Sequence, residues 1–161
     1  MPGNWRVISN EQEVVYTDYM KKSSIEALDV ISHNFDLDHH WIDDDSKFVQ
    51  FAPTPRISTY LYGIMAGPYD YFESNIAGLP PMRVYARKSL ISEVNHQEIF
   101  KITQASVKFF RDLFNEPYPF TKFDQIFVPE FQSSGMENVG VVTISEDLLF
   151  RGKQKTMRNR L

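Results

Sequence analysis

The longest stretch of helical period in this chain starts at Asn95 and stops before Pro117, and most of the remainder is cut into short β-patterned runs. Asn95 with Glu98 forms a helix-start pair, and Ile99, Ile102, Ser106, Phe109, Phe110 and Leu113 follow on one face. Pro117 ends the pattern because it has no amide proton to give. An aromatic stripe at that spacing is expected to face a core. One long helix among short strands predicts the α+β class, with an antiparallel β portion first and a helix-and-sheet portion after it.

The strands are read from alternation and punctuation. Trp5-Arg6-Val7-Ile8-Ser9-Asn10 alternates and then reaches a turn-favouring Asn, and a second strand follows near Val14-Val15-Tyr16. Ser23 with Glu26, and Ile25, Leu28 and Ile31 behind them, predict a short helix over 24–34. Phe48-Val49-Gln50-Phe51 reads as a strand, Pro53 and Pro55 mark a corner, and the β-branched and aromatic run 57–66 predicts a long strand. Two more, 69–73 and 82–86, flank a loop containing Gly78. The texture changes after Lys88, which predicts a division into 1–88 and 89–161. Within the second part, 124–128 and 139–144 read as strands.

Composition narrows the function. A net charge of −4 over 161 residues gives no general affinity for polyanions, so neither nucleic acid nor an anionic membrane surface is expected as a partner. The basic tail with Arg151, Lys153, Lys155, Arg158 and Arg160 could serve nucleic acid, but without interleaved aromatics it equally reads as a mobile tail. No apolar run is long enough for a membrane span. There is no cysteine, hence no disulfide or thiolate metal site. His39, His40 and the aspartates of 33–46 offer metal-ligand chemistry, or simply a solvated surface loop.

The sharpest chemical signal is the turn Ser134-Gly135-Met136-Glu137-Asn138 between the last two predicted strands. It sets a carboxylate beside backbone that an extended peptide can approach, a combination suited to holding the ammonium end of a polypeptide. Taken alone, Glu137 also reads as a solvated loop carboxylate.

Together with that turn, Val7-Ile8-Ser9-Asn10, the run from Phe51-Ala52-Pro53-Thr54-Pro55 to Ser58-Thr59-Tyr60-Leu61-Tyr62, Arg83-Val84-Tyr85, and Tyr118-Pro119-Phe120 with Lys122 and Asp124 resemble the M1 family of zinc aminopeptidases. In that family the turn is usually Gly-Ala-Met-Glu-Asn, so Ser134 and Gly135 are small-for-small replacements. The resemblance implies that Glu137 binds the substrate's α-ammonium group, that backbone near Ser134 and Gly135 aligns the peptide, and that Met136 and Asn138 shape the turn.

The same resemblance implies a zinc cofactor in the full-length enzyme, held by a His-Glu-x-x-His helix and a later Glu. His33, His39, His40 and His96 do not reproduce that spacing, so no catalytic residue and no metal ligand is expected in this chain. The expectation is an internal segment, comprising the end of an N-terminal β domain and the opening of a thermolysin-like catalytic domain. It would supply recognition of peptide N-termini without the zinc site. A catalytically inactive relative that binds peptides or assembles with partners is the alternative.

Overall fold

The computed structural model describes residues 5–18 and 47–149. The helix expected over 24–34, the histidine-rich loop and the basic tail lie outside them. The architecture is α+β, with β1 (Arg6–Ser9), β2 (Glu13–Asp18), β3 (Lys47–Phe51), β4 (Ile64–Gly67), β5 (Tyr69–Ser74), β6 (Met82–Arg87), α1 (His96–Phe114), β7 (Phe123–Val128), β8 (Gly135–Met136) and β9 (Val141–Ser145) in chain order.

Strands β1 and β4 form one antiparallel pair, and β2 and β3 another. The main sheet has five strands in the order β5-β6-β7-β9-β8. Its β5–β6 hairpin is antiparallel, β6–β7 and β7–β9 are parallel, and β8 returns antiparallel to β9 at the edge. Helix α1 lies between β6 and β7 in the chain, as a parallel pair requires of its connection. Residues on both sides of Lys88 therefore share one sheet.

Both faces of that sheet are covered, as parallel pairing favours. On β6, Met82, Val84 and Ala86 join Val94, Phe100, Phe127 and Leu149 in one core, with Ile99 and Val107 of α1 packed against it. The opposite face carries Tyr69, Tyr85, Ile126, Val128 and Val141, with Ile8 from β1 and Met65 from β4. The period of two thus sends neighbouring residues of one strand into different cores.

Helix α1 has the cap expected of it. The Asn95 side chain accepts from the Glu98 amide, and Asn115 closes the far end at φ 53°, in the left-handed region that Asn tolerates. The buried stripe differs from the expected one. Phe100 is buried and Ile99 and Val107 pack on the sheet, whereas Ile102, Phe109, Phe110 and Leu113 are each more than half exposed, together with Phe114. Hydrophobic period marks both stripes, and contact with the sheet selects the one carrying Phe100.

The run 57–66 also departs from expectation. Thr59–Leu61 is a single 3₁₀ turn, and strand structure is limited to Ile64–Gly67. Its backbone groups go to side chains from distant elements: Leu61 O and Gly63 N to Asn10, and Tyr62 O to Asn138. Those bonds replace a ladder that residue preference alone would have predicted.

Candidate functional site

The turn after β7 begins at Glu130, whose φ of 53° reverses the chain, and runs back as the two-residue strand β8. Gly135 pairs with Ile144 and Met136 with Thr143, while the Ser145 amide donates to Ser134 O at 3.0 Å. A Cβ at position 135 would stand 3.3 Å from Thr143 O, so the need for a small residue arises partly within the sheet itself. Because β8 is the outermost strand, its far edge is unpaired among the described residues. Such an edge is a template for an added strand.

Ser134, Gly135 and Glu137 are exposed, Met136 is half-buried and Asn138 is buried. The turn thus has an open rim and an anchored base. Glu137 makes no hydrogen bond or ion pair with another described residue. Next to it, the Asn138 amide donates to Leu61 O at 3.3 Å and Tyr62 O at 3.2 Å, and its Oδ1 accepts from the Thr143 hydroxyl at 2.9 Å. A shallow concavity of about 580 Å³ adjoins the turn, lined by Phe131, Gln132, Ser133, Ser134 and Ser145 among others.

Beneath the turn lies a buried polar floor. Asn10, fully buried, donates to Val139 O at 2.7 Å and Leu61 O at 2.9 Å and accepts from the Gly63 amide at 3.0 Å. Gly140 has φ 74°, and a Cβ there would lie 1.9 Å from Asn10 O, so glycine is required on both counts. Its amide donates to the Tyr118 hydroxyl and its carbonyl accepts from Asp124 N and Lys122 Nζ.

Lys122 spends all three ammonium protons, on Ser9 O at 2.7 Å, Asp124 Oδ2 at 2.8 Å and Gly140 O at 2.9 Å. The other Asp124 oxygen accepts from the Arg83 amide. Burial pushes the Lys122 ammonium down and the Asp124 carboxyl up from their ordinary values, and each partner opposes the other's shift. Full hydrogen bonding is the condition under which such a pair is tolerated in a protein interior. Burial likewise raises Tyr118, to about 12.

The five residues predicted for the site stand together at one sheet edge. Sequence reasoning gave no separate role to Asn10, Tyr118, Lys122 and Asp124. The available signal was two opposite charges spaced by two in an otherwise aromatic entry to a strand, which sets both on one face.

Comparison with known proteins settles the kinship. The sequence profile described as "Peptidase family M1 domain" matches residues 98–161. Aminopeptidase N of Streptomyces lividans is 40% identical over 108 residues, covering 65% of this chain and 12% of that protein. Aminopeptidase N of Rattus norvegicus is 31% identical over 136 residues, covering 83% of this chain and 14% of that protein. Aminopeptidase Ey of Gallus gallus is 36% identical over 112 residues, covering 69% and 11%.

The chain belongs to peptidase family M1.

The M1 family is one of zinc-dependent aminopeptidases, and this chain spans between 11% and 14% of the length of these curated relatives. No group of three or more His, Asp or Glu that could hold a metal occurs among the described residues. The one histidine there, His96, stacks on Phe72 with ring centroids 3.7 Å apart. The described residues of this M1 chain therefore offer no set of ligands that zinc would need. No helix among them is long and apolar enough to cross a membrane.

Proposed function

We propose that this chain is the segment of a zinc-dependent aminopeptidase that recognises the free amino terminus of a peptide. Glu137 pairs with the α-ammonium group, the open edge of β8 with Ser134 and Gly135 aligns the peptide backbone, and Met136 and Asn138 shape the turn. The observation that carries this reading is an exposed carboxylate at the end of an edge strand, adjacent to an Asn138 held by three hydrogen bonds. Selectivity for peptide ends follows from charge. A mid-chain segment brings no cation, so covering Glu137 with it would leave an uncompensated anion.

The chain divides, in this reading, into the end of an N-terminal β domain and the opening of a catalytic domain. The shared five-stranded sheet favours grouping the hairpin Tyr69–Arg87 with the second part, which moves the junction from residue 88 toward Pro68. Zinc and its general base come from sequence outside the described residues.

The test is Glu137→Ala in the full-length holoenzyme. Losing a charge pair of this kind lowers kcat/KM about 100-fold, while bound zinc measured by metal analysis is unchanged. Normal kinetics would remove the assigned role.

A further inference from the structure

The polar floor beneath the turn draws on three parts of the chain that are far apart in sequence. Asn10 reaches 129 residues along the chain to Val139 O and 51 residues to Leu61 O. Leu61 O also accepts from Asn138, so one carbonyl is shared by the two asparagine side chains. The Ser9 hydroxyl adds a bond to Gly63 O at 2.8 Å, and a Cβ at Gly63 would stand 3.3 Å from Asn138 Cβ. Residues 9–10, 61–63 and 138–140 thus form a clasp, with Glu137 immediately before its third segment.

We infer that this clasp, centred on Asn10, is a positioning device for peptide-amine recognition. The inference rests on the role proposed above for Glu137, and makes Asn10 a positioning residue acting through it. The main-chain bonds of β8 stop at Met136. From there to the start of β9, two main-chain bonds, Val141 N to Asn138 O and Asp124 N to Gly140 O, are joined by side-chain bonds from Asn138, from Asn10 on Val139 O, and from Lys122 and Tyr118 on Gly140, and Asn10 holds a carbonyl that no main-chain bond reaches. An ammonium group bound by a single carboxylate requires that carboxylate within hydrogen-bond distance of one point, so freedom in this short span is read directly as weaker substrate binding. Each donor and acceptor of the Asn10 amide is directed at backbone rather than at another side chain, which suits it to holding the path of the chain.

A double-mutant cycle in the full-length holoenzyme, using an aminoacyl p-nitroanilide, tests this. Asn10→Ala is expected to raise KM about ten-fold with kcat altered less than about two-fold, with zinc content unchanged. When Glu137→Ala is already present, Asn10→Ala should raise KM no further. An equal rise in both backgrounds would overturn the inference, because Asn10 would then act on something other than Glu137. A fall in kcat at constant KM would overturn it too, since that is the signature of a smaller folded fraction. Should Asn10→Ala not accumulate as folded protein, Thr143→Val enters the same cycle with the same outcomes, because it removes the donor that orients Asn138 at nearly constant volume. If Glu137→Ala itself leaves KM unaltered, the recognition role fails and the inference falls with it.

Discussion

The floor beneath the Ser-Gly-Met-Glu-Asn turn and the exposed apolar face of α1 invert the usual expectation for their residue types. Beneath the turn, Asn10, Lys122, Asp124 and Asn138 are buried, although their side chains are polar or charged. Along the helix, Ile102, Phe109, Phe110, Leu113 and Phe114 are exposed, although they are apolar, and some of them line a groove of about 660 Å³. The polar cluster is closed by its own hydrogen bonds, while the described residues leave the aromatic face uncovered. Burial at each place follows from whether local partners complete the interaction, and hydrophobicity alone does not predict it.

The contrast can be broken most forcefully at the floor. Lys122→Met leaves Asp124 buried without its cation, and a loss of about 3–5 kcal/mol in unfolding free energy is expected from chemical denaturation. Replacing both partners with apolar residues, Lys122→Met with Asp124→Leu, should recover a large part of it.

A smaller effect is expected at the edge of the floor. Tyr118→Phe removes the acceptor for the Gly140 amide and should cost about 1 kcal/mol. The same residue gives a pH signature. Burial raises the Tyr118 hydroxyl from 10.0 to about 12. Because the folded value lies above the unfolded one, its contribution is fully present below pH 10 and is lost as pH rises through about 12. Stability measured across that window should fall less steeply in the Tyr118→Phe protein.

The helix face sharpens the comparison by doing almost nothing to stability. Phe109→Gln and Phe110→Gln should each change unfolding free energy by less than about 0.5 kcal/mol, while reducing binding of an apolar fluorescent dye. A loss comparable to that of Lys122→Met would show that the aromatic face is covered in the folded protein.

Much of this was legible in the residues. Local rules placed the strands near Val7, Val15, Phe48, Val84 and Ile126, the Asn95 cap and the stop before Pro117, since each depends on neighbours within a turn or a pleat. Glu137 and its companions stand out in the sequence because their spacing resembles that of a known family, and their role is the proposal made above. The stretch 57–66 was not legible, because its carbonyls and amide are claimed by Asn10 and Asn138 across more than fifty residues. Nor was the choice between the two stripes of α1, for period alone marks both.

The sequence by itself determined the α+β character, the order of the described elements other than β8, and the presence of a carboxylate in a small-residue turn. Only the tertiary structure decided that this turn forms a sheet edge, that Asn10 and Lys122 support it from below, and that Phe110 of the helix stays exposed in a groove beside the sheet. Propensity and period act over a few residues, whereas burial and the satisfaction of buried polar groups are settled by partners that the folded chain alone brings together.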